Sequence, residues 1–248
     1  MIDSKLDSYI LEKYFKSYNR DFQKLSESSI KHYCEAIKKI SQILRSSNKV
    51  QDSLYEITDL NELDDIRQFL DKNQEYQELD ERGHRMYSCG FKKYYEFATA
   101  SGFEKIGINI SDFDNITDEV DNSPVLITDT VSHYKRSTIL KNQVMLSSHY
   151  LCEINKKHTT FTAKASNKQY MEGHHIIPIK YQKEFKANLD VYSNIICLCP
   201  ICHRLLHYGI DSEKEPLLTT IYSSRKERLN HSGIVLTKDD FLDLTLRA

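Results

Sequence analysis

Apolar residues recur at steps of three and four through much of the first hundred residues, the spacing that gathers them on one face of an α-helix. Ile30, Tyr33, Ile37, Ile40 and Leu44 make one such stripe, with Ser26 placed to cap it. Leu60, Leu63, Ile66 and Leu70 make a second behind the capping pair Asp59 and Glu62. Tyr87, Phe91, Tyr94 and Ala98 make a third from about 85 to 100, which Gly102 is expected to end. The pattern predicts a helical domain over residues 1–105. Its ring-rich stretch, Tyr87, Phe91, Tyr94, Tyr95 and Phe97, reads as core and not as a platform for stacked bases.

Periodicity fades after that. Residues 111–124, SDFDNITDEVDNSP, are acidic and rich in turn formers, which predicts an inter-domain linker over 106–134. Asp112, Asp114 and Asp118 have the spacing of a calcium loop, but Ile116 stands at a ligand position and the central Gly and closing Glu are missing. Helices are predicted again at 135–148, at 216–230 before Gly233, and after Thr237. Between them, YMEGHHIIPI and NIICLC are short, apolar and bounded by turn residues, as strands are. The expected class is α+β, mostly helical, with 135–248 as the second domain.

Charge sharpens this division. Residues 1–135 hold 18 Lys/Arg against 25 Asp/Glu, net −7, and residues 136–248 hold 16 against 11, net +5. The second half is the one able to approach phosphate. The basic run Arg225, Lys226 and Arg228 reads as a solvated face in preference to a phosphate track. The N-terminus lacks a basic start followed by an apolar core, and no apolar stretch is long enough to span a bilayer, so a cytoplasmic protein without a membrane partner is expected. Cysteines in that compartment are thiols or metal ligands more often than disulfides.

Residues 170–209, YMEGHHIIPIKYQKEFKANLDVYSNIICLCPICHRLLHYG, concentrate the candidate chemistry. Pro200 at a helix start and Gly209 beyond its end define a short helix on which His203 and His207 share a face, with β-carbons roughly 5–6 Å apart, a bite suited to one metal ion. His174 or His175 supplies the opposite side. Neighbours on a regular strand point to opposite faces, so both can serve one site only if the strand bends. Asn194, with one acceptor and two donors, suits the task of holding such a bend.

HH, then N, then CxxCHxxxH resembles the HNH endonuclease family over roughly residues 150–210. The resemblance implies a ββα-metal, treble-clef-like nuclease fold with flanking helices. It further implies a catalytic divalent cation on His174, His203 and His207, with His175 as general base and Asn194 in a positioning role. An imidazole outside the metal shell can take a proton from water near neutral pH. The implied reaction is hydrolysis of DNA to 5′-phosphate and 3′-hydroxyl ends with one ion. Mg²⁺, Mn²⁺, Ni²⁺, Co²⁺ and Zn²⁺ all stay open, although Mg²⁺ prefers oxygen ligands.

Members of the family also carry a structural zinc on two CxxC pairs. Here Cys199 and Cys202 form one pair, whereas Cys152 has Asn155 at the partner position. His158 is expected to complete a Cys152, His158, Cys199, Cys202 zinc site, with Cys197 as an alternative ligand. The broad resemblance to restriction and phage-defence proteins gives the helical domain a role in recognition or partner binding, and double-strand cutting would call for a homodimer. The competing readings are a zinc-stabilised binding or adaptor protein without activity, and an RNase or nickase within a defence-system partner complex.

Overall fold

The computed structural model describes residues 9–106, 126–127, 133–134 and 136–247. Most of the expected linker, 106–134, and the rejected calcium loop within it lie outside the described residues. The protein is mostly helical, of α+β class, and divides into two compact units, Met1–Ile108 and Asn109–Ala248.

In the first unit the helices are α1 (Ile10–Ser17), α2 (Glu27–Ser46), α3 (Leu60–Lys72), α4 (Gln74–Arg82), α5 (Met86–Ala98) and α6 (Ser101–Ile106). Ser26 caps α2 by accepting from the Ser29 amide, and Asp59 caps α3 by accepting from Asn61 and Glu62. α1 continues into a wider π turn, Tyr18–Phe22, and buries Leu11, Tyr14, Phe15 and Tyr18. The core is aromatic: Phe15 meets Tyr94 edge-on at 5.4 Å between ring centroids, and Tyr18 meets Phe103 at 4.6 Å. At Gly90 α5 comes so close to α2 that an added β-carbon would lie 2.7 Å from that of Ala36. Gly102 does not end α5 as expected. The helix stops at Ala98, left-handed Ala100 turns the chain, and Gly102 falls inside α6.

The second unit is built around one antiparallel hairpin. β1 (Leu126–Ile127) pairs with β2 (His133–Tyr134), and α7 (Thr138–Ser147) follows, with Ser137 accepting from the Leu140 amide as its cap. β3 (Glu172–His175) pairs with β4 (Ile195–Leu198), and α8 (Pro200–Tyr208) leaves β4 through Cys199. α7 packs Ile139, Leu140 and Val144 into this core. α9 (Asp211–His231) and α10 (Lys238–Leu246) close the unit, with Tyr222 against Phe241 at 5.1 Å. α9 starts at Asp211, ahead of the expected position, because Asp211 and Glu213 suit an amino end. Pro216 lies within it and withdraws one backbone donor. Among the described residues no helix is long and apolar enough to cross a membrane.

Candidate active site and a second metal-binding cluster

The hairpin sets the site's frame. His174 pairs with Ile196 and His175 with Ile195, the last pair before the strands part. Beyond it the fully buried Asn194 takes over. Its Oδ1 accepts from the Ile177 amide at 2.8 Å, and its Nδ2 donates to the carbonyls of Ile177 and Leu189, both at 2.9 Å. The Asn194 carbonyl accepts from Ile176 at 2.8 Å. One side chain thus ties three backbone groups of the loop that follows His175, and no atom of its amide is left unsatisfied.

His174 from β3 and His203 and His207 from α8 converge. One ring nitrogen from each lies within 4.8 Å of the other two, and the ring centroids are 4.8–5.0 Å apart. Burial, then the neighbouring His203 and His207, hold the His174 imidazole down to about 3. Burial and His203 lower His207 as well. Neutral imidazoles are the ligating form, and His207 is exposed, so the donor set suits a divalent cation with coordination positions left open toward solvent. Glu172 Oε2 approaches His203 Nδ1 to 2.5 Å, poorly aligned for a hydrogen bond. The Tyr170 hydroxyl donates to the other carboxylate oxygen at 3.0 Å.

His175 is not part of this trio. It is 8% exposed, with Nε2 2.7 Å from Asp190 Oδ1. Asp190 is fixed in turn: its Oδ2 accepts from the Ser137 amide at 2.7 Å, and its own amide donates to Asn188 Oδ1 at 2.8 Å. Lys141, half-buried on α7, packs over Gly173, where an added β-carbon would meet its Cγ at 3.2 Å. Sequence reasoning singled out none of Glu172, Asp190 and Lys141. For Glu172 a signal existed, since residues i and i+2 of a strand share a face and His174 is two positions on.

A second cluster lies at the amino end of α8. Ligand atoms of Cys152, His158, Cys199 and Cys202 all lie within 4.8 Å of one another, with both Cys199 and Cys202 Sγ 3.4 Å from His158 Nδ1. Burial pushes the Cys152 thiol up, but backbone donors from Cys199, Asn155 and Ile154 and the His158 ring outweigh it and leave Cys152 at about 7. Three sulfurs and one imidazole, held close and largely buried, suit Zn²⁺. Asn155 makes the turn that delivers His158: its Oδ1 accepts from Lys157 and its carbonyl from His158. Cys197 lies outside the four, buried on β4, and burial raises its thiol. Arg225 also departs from expectation. It is buried against Glu153, whose other oxygen accepts from the Cys197 amide at 2.8 Å, so only Lys226 of that run's first two cations faces solvent.

These two clusters and the hairpin between them coincide with residues 152–209, which match the HNH endonuclease family model. This region is an HNH domain. The chain is also similar to the type IV methyl-directed restriction enzyme EcoKMcrA of Escherichia coli (strain K12), at 31% identity over 91 residues. That match covers 37% of the chain and 31% of the relative, so the chain spans about a third of the relative's length in the aligned part.

Proposed function

We propose that the protein is a metal-dependent DNA endonuclease of restriction type that hydrolyses phosphodiester bonds to 5′-phosphate and 3′-hydroxyl ends. The observation that carries this reading is the convergence of His174, His203 and His207 beside the buried His175–Asp190 pair, inside the HNH domain. The similarity to a restriction enzyme supports DNA as substrate and restriction as the setting.

In this reading His174, His203 and His207 hold a divalent cation, which when bound supplies charge stabilisation for the attacked phosphate and the leaving 3′ oxygen. His175 takes the proton from the attacking water. Its Nε2 is committed to Asp190, so the accepting atom is Nδ1. Asp190 fixes the ring's orientation and stabilises the imidazolium that forms. Asn194 holds the loop after His175 so that the base keeps its place. Cys152, His158, Cys199 and Cys202 hold a zinc that is structural, since all four positions are taken by protein. Cutting both strands would require two copies, most simply a homodimer.

The test is cleavage of plasmid DNA, and separately of RNA, across Mg²⁺, Mn²⁺, Ni²⁺, Co²⁺ and Zn²⁺ with an EDTA control, beside His175→Ala. The expected result is cation-dependent cleavage of DNA that the variant reduces by about 10²–10⁴-fold while still binding DNA. Equal cutting by the variant removes His175 from the mechanism, and cleavage confined to RNA overturns the substrate assignment.

A further inference from the structure

Residues 154–171 contain four lysines and no carboxylate. They form a small hairpin: Thr162 bridges to Gln169, the Ala163 amide donates to the Lys168 carbonyl, and the Tyr170 amide donates to the Phe161 carbonyl, both at 2.8 Å. Left-handed Asn167 makes its turn. Gln169 anchors it to the body of the unit by donating to the Tyr150 carbonyl at 3.0 Å.

Both legs of this hairpin end in the chemistry described above. His158, on the first leg, belongs to the Cys₃His cluster. Tyr170, on the second, donates to Glu172, which bears on His203 of the histidine trio. On the outside, Lys156, Lys157, Lys164 and Lys168 are all exposed, and none is paired with a carboxylate among the described residues. Phe161 stacks on Tyr170, with centroids 4.8 Å apart and planes 15° from parallel, yet stays 65% exposed. A phenyl ring left so open costs apolar surface in water, and here it stands on a scaffold carrying only positive charge.

We infer that this hairpin is a DNA contact of the nuclease domain, in which the lysines neutralise phosphates flanking the scissile bond and Phe161 supplies the apolar contact to the sugar or base between them. The inference rests on the nuclease reading and adds to it the surface that seats the substrate. Charge complementarity selects a polyanion, and the contacts of Tyr170 with Glu172 and of Glu172 with His203 set the hairpin beside the proposed cutting site.

Binding of the full chain to a short DNA duplex, measured across a salt series, tests this with Lys164→Ala/Lys168→Ala, its charge-reversed counterpart with Glu at both positions, and Phe161→Ala. These side chains are exposed, and melting temperature checks that each variant folds. The double Ala variant is expected to bind more weakly, with the slope of log affinity against log salt shallower by about 2, near ~0.9 per lost phosphate contact. The Glu pair should weaken binding further. Phe161→Ala should cost about threefold to tenfold in affinity with the slope unchanged, since it neutralises no phosphate. A double variant with the parent's affinity and slope, in a parent that cuts DNA, overturns the hairpin's role alone. A parent that neither binds nor cuts DNA overturns the nuclease reading and the hairpin's role with it.

Discussion

The two candidate metal clusters of the second unit share one helix and differ in nearly everything else. α8 gives Cys199 as its cap and Cys202 from its first turn to one cluster, and His203 and His207 to the other. Cys202 and His203 are adjacent, yet successive residues of a helix project about 100° apart, so neighbours serve opposite sites. The sulfur cluster is closed, with four potential ligands and little solvent access to its cysteines. The nitrogen cluster has three imidazoles, one of them exposed. Closure suits a metal that holds the fold, and openness suits one that meets a substrate.

The sharpest way to break this comparison is to remove a sulfur. Cys202→Ser is expected to abolish zinc binding and unfold the second unit, since structural zinc contributes on the order of 10 kcal/mol to folding of small domains. Circular dichroism and elemental analysis would check it, and a folded zinc-free variant would show that the cysteines are ordinary buried thiols. A smaller effect is expected at Asp190→Asn, which keeps the shape but withdraws the charge opposite His175. Cleavage should fall by about 10–100-fold with KM little changed and the melting temperature near the parent's. A rise in KM alone would assign Asp190 to substrate binding. Glu172→Gln should have the smallest effect, weakening affinity for the catalytic cation by about tenfold by calorimetry while leaving the zinc in place.

Much of the second unit was legible because its candidate ligands are spaced by local geometry. His203 and His207 lie one helical turn apart, and Cys199 and Cys202 bracket a helix start, so periodicity alone set their relation. His158 was accessible by its distance from Cys152 and by the poor chemistry of Asn155 as a ligand. Asp190 was not accessible. It meets His175 from 15 positions further along the chain, and nothing in the composition of the connection states where it will return. Arg225 was misread for a related reason, since its partner Glu153 is 72 positions away. In the first unit the missed helices differ in kind. α1 and the π turn after it have a clear stripe in Leu11, Tyr14, Phe15 and Tyr18, whereas α4 buries only Tyr76 and offers too little pattern to detect.

The claim that one helix divides its residues between a structural and a catalytic metal is tested most directly by His203→Ala, assayed for zinc content and for plasmid cleavage on the same preparation. A folded protein that keeps its zinc and has lost cleavage is expected. A variant that loses its zinc, or that cuts DNA at the parent's rate, would contradict it.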